Sequence, residues 1–479
     1  MIGRIHEVAE LNRLYNSSKA ELVAVYGRRR VGKTYLVDEA FKNKITFRHA
    51  GLSPVDGTQG KKGVFQSQLK HFYYSLQLHG MKKSHCPESW LEAFFMLETL
   101  LEHKDDGGRQ VIFLDELPWM DTPRSGFITA FEGFWNTWAC HRENILVIVC
   151  GSANSWILDK LINNHGGLYN RVTYEIQLAP FTLAECEAFF VSNNVKLSRY
   201  DVVQGYMAVG GIPYYLGYFE SGKSFAQNMD ELFFSKKAKL RDEYSRLFAS
   251  VFTNPSLVKD IVYLLNTRNA GYTRKEVSEK LGLCDGGTLT SALHALIASD
   301  FVVKYIPFGF SKREEHFKLV DSFCKFYLRF VDKQQDGDEG FWQKNIQSQA
   351  ISAWRGFAFE DVCFNHIRQI KEALGINGVS SVQSAWSKKE DDEAGTQIDL
   401  LIDRKDNVIN MCEIKFYSGE FTVSKDYHKI LVHRQEILSN AVPKKKVVHG
   451  TLITTYGLAY NEYSGDFVQV ITLDDLFHL

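Results

Sequence analysis

Gly27-Arg28-Arg29-Arg30-Val31-Gly32-Lys33-Thr34 is the stretch around which the chain is organised. A short apolar run, residues 22–26, precedes it, and a helical pattern through Tyr35, Leu36, Ala40 and Phe41 follows. Strand, glycine-bounded loop and helix in that order match G-x-x-x-x-G-K-[ST], the phosphate-binding loop. The glycines let the backbone turn tightly and aim its N–H groups at phosphate oxygens. The helix that follows adds the partial positive charge of its N-terminus. Gly27, Arg28, Arg29, Arg30, Val31, Gly32, Lys33 and Thr34 are therefore the expected nucleotide cradle. Lys33 is placed to reach the β- and γ-phosphates, and Thr34 to ligate Mg2+.

The next signal is Val111-Ile112-Phe113-Leu114-Asp115-Glu116, an apolar run closed by two acids. It reads as a buried parallel strand with carboxylates at its C-terminal end, where open parallel sheets bind ligands. Asp115 is the second expected Mg2+ residue, and Glu116 the group that orients or deprotonates the attacking water. Phe131, Phe134, Trp135 and Trp138 fall at helical spacing and predict a core-facing stripe. A further buried strand, Ile145-Leu146-Val147-Ile148-Val149, ends in Cys150-Gly151-Ser152-Ala153-Asn154. Ser152 and Asn154 are candidates to sense the γ-phosphate, with a plain N-cap for a helix at 155–162 as the alternative. Arg171 is a candidate to stabilise charge on the transferring phosphoryl group, in this or a neighbouring subunit, with a structural salt bridge as its alternative.

Upstream, Ile5, Val8, Leu11, Leu14 and Tyr15 predict a helix over 4–15. Residues 44–49 read as a strand, and the glycine- and lysine-rich 51–63 as an exposed loop. With 479 residues, the chain has room for three to four domains of about 150 residues each. Its 45% hydrophobic and 24% charged residues are those of a globular protein, and a net charge of −1 does not advertise a nucleic-acid binder. Eight cysteines stand singly, without a C-x-x-C pair, and read as reduced thiols of a cytoplasmic protein. No stretch has the ~18 apolar residues of a membrane helix, and no apolar signal region opens the chain, so no membrane partner is expected.

Together, Ile2-Gly3-Arg4 with Glu7, the loop 27–34, Asp115-Glu116, Gly151-Ser152, Leu168 to Arg171 and Gly210-Gly211-Ile212-Pro213 resemble the archaeal-type ATPases of the AAA+/STAND neighbourhood. The resemblance implies ATP as the nucleotide, a P-loop core over 1–180, and a helical lid over 181–245. It also places Arg4 near the adenine.

Residues 256–300 read as three helices, the second N-capped by Thr273 and the third carrying Leu289, Leu293 and Leu296 inward. A hairpin, 301–306 and 315–320, follows, so 246–335 reads as a winged helix. Its third helix shows Thr288, Thr290, Ser291 and His294 outward, without Arg or Lys. DNA reading and a protein-contact role both stay open for it. A helix over 317–331 and an acidic linker at 332–339 lead to the last segment, 340–479.

There, Ile398-Asp399-Leu400-Leu401-Ile402-Asp403, a turn near Asp406, and a strand with Cys412-Glu413-Ile414-Lys415 read as a β-hairpin. Centred on Asp406, the hairpin sets Asp399 opposite Glu413. Two opposed carboxylates repel unless something neutralises them, and a divalent cation does so. Lys415 then stands beside the metal, on the same face as Glu413. This Asp…Glu-x-Lys pattern resembles the PD-(D/E)xK nucleases. The resemblance adds an acid on the preceding helix, which Glu360 supplies, and a polar residue on the following helix, matched by Gln435. The acidic stretch 388–393 opposes DNA if it lies over this site, and Lys444-Lys445-Lys446 is a candidate to compensate.

The whole chain thus reads as an α/β protein. It has a P-loop parallel sheet, a helical lid, a winged helix and a C-terminal α/β restriction-endonuclease-like domain. The expected activity is ATP hydrolysis coupled to DNA binding or metal-dependent cleavage, with homo-oligomer formation in view. The alternative is a nucleotide-operated switch or scaffold whose C-terminal part is an inactive binding module.

Overall fold

The computed structural model describes residues 1–53, 61–163, 166–333, 338–388 and 396–478. Its contacts divide into two units. The first is Met1–Pro180 with Ser245–Lys259 and Thr290–Asp300; the second is Phe181–Tyr244, Asp260–Leu289 and Phe301–Leu479.

Strand β1 (Glu21–Tyr26) carries the apolar run before the glycine loop, and every one of its residues is buried. So are all residues of β3 (Gln110–Asp115) and β4 (Ile145–Gly151). Continuous apolar strands of this kind need a parallel sheet covered on both faces. With β2 (Ile45–Ala50) and β5 (Tyr174–Gln177) they form one, in the order β2-β3-β4-β1-β5, every pair parallel. β4 therefore lies between β1 and β3. The C-terminal ends of these three strands, where the glycine loop, Asp115-Glu116 and Ser152 sit, are brought side by side. Of the stripe expected at helical spacing, Phe131, Phe134 and Trp135 are buried in the core on one face of this sheet, and Trp138 packs half-buried against it.

Some local expectations change. The helix Ile5–Tyr15 buries Leu11 and Leu14 but leaves Ile5, its first residue, exposed. The stretch read as a loop over 51–63 ends sooner, in the helix Lys61–Leu78; residues 54–60 lie outside the described set. Neither Ser152 nor Asn154 caps the helix after β4, which begins at Asn154 behind Ala153 without a side-chain cap.

In the second unit, Gly210-Gly211-Ile212-Pro213 ends one helix, Arg199–Val209, and starts another, Pro213–Leu216. A Cβ on Gly211 would lie 1.9 Å from the Phe181 carbonyl oxygen, so only glycine fits there.

The segment expected as three helices and a hairpin contains Pro255–Asn266, Arg274–Leu281 and Gly287–Ala298. Thr273 caps the second in a reciprocal capping box with Glu276. Leu289, Leu293 and Leu296 are buried, while Thr288, Thr290, Ser291 and His294 are exposed. The short β6 (Tyr272–Thr273), β7 (Val302–Tyr305) and β8 (His316–Leu319) make an antiparallel sheet in the order β6-β8-β7. The expected helix over 317–331 is thereby corrected. Residues 316–319 alternate as a strand, and the helix starts at Ser322, where Asp321 accepts the Cys324 N–H at 2.8 Å. Much of the linker at 332–339 lies outside the described residues.

The last segment holds a mixed sheet, β13-β12-β11-β10-β9, formed by β9 (Ser381–Lys388), β10 (Thr396–Arg404), β11 (Val408–Lys415), β12 (Val447–Thr454) and β13 (Gln469–Ile471). β10 pairs antiparallel with β9 and β11, and β12 runs parallel to β11 and β13. Most of the acidic stretch 388–393 falls outside the described residues. No helix among the described residues is long and apolar enough to cross a membrane.

Candidate active sites

The loop after β1 is shaped by its backbone. Gly27 adopts φ +146°, and a Cβ there would lie 2.3 Å from the Leu178 carbonyl oxygen. Gly32, at φ +93°, starts the helix Lys33–Ala40. Between them Arg28 and Val31 are buried, Arg30 takes φ +74°, and the Arg29 guanidinium lies 5.9 Å from the Trp119 ring centroid. Arg4 ties the loop to the chain start, its guanidinium donating to the Ala179 carbonyl at 2.7 Å and the Val31 carbonyl at 3.3 Å. These two bonds brace the loop.

Lys33 points into the hollow of this loop. Its Nζ donates to the Gly27 and Arg28 carbonyls at 2.9 and 3.2 Å, and burial pulls its pKa down. An ammonium aimed into a loop of inward-turned backbone suits a phosphate chain, which would replace those carbonyls as its partner. The Thr34 hydroxyl donates to Asp115 Oδ2 at 2.8 Å, so the two residues expected at Mg2+ already touch. The donor set is a hydroxyl and a carboxylate, the oxygen chemistry Mg2+ takes.

Glu116 sits at φ +47°, an uncommon backbone state for a residue with a Cβ. Burial raises its carboxyl pKa. Ser152 grips it twice: the backbone N–H donates to Oε2 at 3.1 Å, and the hydroxyl donates to Oε1 and Oε2 at 3.0 and 2.9 Å. Asn154 instead braces the loop, accepting the Gly27 N–H at 3.0 Å and donating to the Ala298 carbonyl at 2.9 Å. Arg171 is exposed and forms no ion pair among the described residues, so the structural salt bridge open to it is absent there.

Residues 1–219 match the ATPase domain family found predominantly in Archaea. Residues 1–219 form an archaeal-type ATPase domain. The chain carrying this ATPase domain is similar to an uncharacterized protein of Methanocaldococcus jannaschii, 26% identical over 365 residues that cover 75% of this chain and 76% of that one. A second protein of the same organism, an uncharacterized ATP-binding protein, is 46% identical over 43 residues, 9% of this chain and 73% of its own. A Walker-type ATPase of Pyrococcus abyssi is 18% identical over 69% of this chain and 96% of its own, at a TM-score of 0.48.

Beyond the ATPase domain, the second unit gathers the acids of the Asp…Glu-x-Lys pattern. β10 and β11 pair Leu400 with Cys412, and Asn407 takes the turn at φ +66°. The pairing ends at Leu400, one residue short of Asp399, and β10 is irregular against β9 between Ile398 and Leu401; Asp399 is nonetheless close enough to feel the charge of Glu413. Glu360 comes from the helix Gln349–Asn365, where its Oε2 accepts from Asn269 Nδ2 at 2.9 Å. Burial, and then the charge of Asp399, push Glu360 up to about 8. Burial, and then Glu413, raise Asp399 as well.

The neutralisation differs from the expectation. Glu413 is buried and its carboxylate is met by Lys415 Nζ at 2.7 Å, Arg434 at 2.8 Å and the Tyr427 hydroxyl. Burial alone would raise its pKa, but Lys415 and Arg434 hold it below the usual carboxylate range. Two cations of the chain thus offset the charge that a metal was expected to offset. Among the described residues no group of three or more histidine, cysteine or acidic side chains forms a ready-made metal site. Asp399 and Glu360 keep the mutual repulsion that a divalent cation would relieve, so the donor chemistry still suits one.

Gln435, expected to face this centre, instead points its Nε2 toward the Val448 carbonyl at 3.4 Å. Tyr427 and Arg434 are the residues of the helix Lys425–Ala441 that reach it. They stand seven apart, on one helical face, and that spacing is the sequence signal that could have found them. Of the three lysines at 444–446, Lys446 pairs with Asp403 while Lys444 and Lys445 are exposed.

Proposed function

We propose that this ATPase-domain protein hydrolyses ATP with Mg2+ and couples its nucleotide state to DNA binding or metal-dependent DNA cleavage by the segment 340–479. In this reading 1–180 is the ATPase core, 181–245 a helical lid and 246–335 a winged helix. Residues 340–479 form a PD-(D/E)xK-type domain. The order of helices and short antiparallel strands over 255–319 supports the winged helix. The single observation that carries the proposal is the convergence of Asp399, Glu413, Lys415 and Glu360 in the second unit.

At the ATPase site, Lys33 holds the phosphate chain and Thr34 with Asp115 would hold Mg2+, which neutralises charge on the phosphate oxygens. Glu116 orients the attacking water and draws its proton, and the Ser152 hydroxyl, by donating to the carboxylate, favours its ionised form against the pull of burial. Arg171, exposed and without an ion pair among the described residues, is available to a nucleotide held by another copy of the chain. At the second centre Asp399 and Glu413 would hold a divalent cation, whose chemistry is to polarise a phosphodiester oxygen and acidify a bound water. Lys415 stabilises the developing phosphate charge, and Glu360 is the proton-holding acid beside it.

One observation favours the alternative, a nucleotide-operated binding module: Glu413 already has Lys415, Arg434 and Tyr427 as partners. The deciding experiment incubates purified protein with single-stranded, duplex and branched DNA and Mn2+ or Mg2+, beside Lys415→Ala. Metal-dependent cutting lost in the variant supports the nuclease. DNA binding without cutting, with ATP hydrolysis intact, supports the binding module.

A further inference from the structure

A cavity of about 290 Å³ opens within the second unit, against the helix that carries Glu360. Trp354 and Phe357 of that helix form its apolar side, and Lys325, Arg329, Asn269 and Asp361 its polar side. Phe357 is 53% exposed although it is a large apolar ring. The Arg329 side chain is exposed, and its guanidinium forms no hydrogen bond or ion pair among the described residues.

The polar side is unevenly charged. Lys318 Nζ lies 3.1 Å from Asp361 Oδ1, and Lys325 Nζ bonds Oδ2 of the same carboxylate. Two largely buried ammonium groups thus share one carboxylate, with the Glu360 carboxyl within electrostatic reach of both, and Arg329 adds a third cation at the rim. Charge left unbalanced in surroundings of low polarisability is costly, and an entering anion relieves it. Asn269 joins the cavity to the acidic centre: its Oδ1 accepts from Lys325 at 3.3 Å while its Nδ2 donates to Glu360.

We propose that this cavity is a nucleotide subsite, with the phosphate held by Lys325 and Arg329 and the base against Phe357 and Trp354. Its volume is at the small end for ligand pockets and suits one nucleoside monophosphate rather than a long ligand. A guanidinium and an ammonium answer the phosphate, and aromatic faces accept any base. The subsite rests on the reading of Glu360, Asp399 and Glu413 as a nucleic-acid-directed centre, and it would seat the nucleotide next to the bond presented there. The phosphate belongs either to a free mononucleotide or to a strand.

The test uses the full chain with Lys33→Ala, which silences the phosphate-binding loop. Deoxycytidine monophosphate and a single-stranded DNA of about ten nucleotides are titrated calorimetrically. The same titrations are repeated with Arg329→Ala, Arg329→Lys or Phe357→Ala added. Arg329 and Phe357 are exposed, so these variants should fold. Arg329→Ala and Phe357→Ala should each weaken binding by about tenfold or more, with Arg329→Lys keeping most of it. Binding of the strand alone assigns the phosphate to a strand; equal binding of the mononucleotide assigns it to a free nucleotide. Binding by neither probe, or binding indifferent to Arg329 and Phe357, overturns the subsite. Cutting that persists while both substitutions leave binding unchanged sinks the subsite alone. Arg329-dependent binding in a protein that never cuts sinks the nuclease alone.

Discussion

Replacing Asp361 by Asn removes the carboxylate that two ammonium groups share while changing almost no volume. The side chains of Lys318, Lys325 and Asp361 are only 13%, 18% and 7% exposed, so water does little to replace the lost charge. In the native protein burial pulls Lys325 down; Lys318 feels the same pull, but Asp361 and Glu360 hold it up. Breaking a buried pair from one side costs about 3–5 kcal/mol. A second route gives a similar figure. The variant can shed a charge by deprotonating one lysine, which at pH 7 costs about 4.6 kcal/mol from a reference pKa of about 10.4, at about 1.36 kcal/mol per unit. That cost shrinks as pH rises. The variant's folded state binds fewer protons than its unfolded state, so its stability increases with pH up to the unfolded lysine pKa. The penalty should therefore fall to about 2 kcal/mol at pH 9. Hydrogen exchange of peptides covering 316–331 and 349–365, in rising urea, reads the stability of this region alone. A penalty below about 1 kcal/mol at pH 7, or one equal at both pH values, would refute the reasoning.

Lys33→Ala should weaken ATP binding by about 100-fold, the worth of charge-assisted bonds to phosphate, and retained tight Mg-ATP binding in a fluorescence titration would contradict the loop assignment. Ser152→Ala removes a hydroxyl donor that favours the ionised form of Glu116, so the acid limb of the ATPase pH profile should move to higher pH. An unmoved limb would mean that Glu116 is not the titrating base. Gly211→Ala forces a Cβ to within 1.9 Å of the Phe181 carbonyl oxygen. It should destabilise the second unit by about 3 kcal/mol or more in the same exchange experiment, and an unchanged protection pattern would count against that close approach.

The ATPase site was legible because its constraints are local. Gly27 and Gly32 answer backbone needs within one turn, and the acids at the end of β3 follow an uninterrupted apolar run. The closeness of Asp399 to Glu413 was legible because a hairpin centred on Asp406 carries the pairing from Asp403 up to Leu400, the neighbour of Asp399. What escaped the sequence depends on partners distant along the chain. The Ser152 grip on Glu116 exists only because β4 lies between β1 and β3, and no local pattern states strand order. Arg434 and Tyr427 reach Glu413 because one helix face covers β11, and Gln435, one position on, faces elsewhere. The shared partner of the lysine pair also escaped: Lys318 stands on a strand and Lys325 on a helix, and only tertiary packing brings both to Asp361.

The central claim is that nucleotide state governs the second centre. The most direct measurement is the DNA affinity and metal-dependent cutting rate of Glu116→Gln, held in its ATP-bound form, against the same protein without nucleotide, with Lys33→Ala alongside. The account predicts a clear difference between the two states that disappears in Lys33→Ala. Identical DNA affinity and cutting in both states would contradict it.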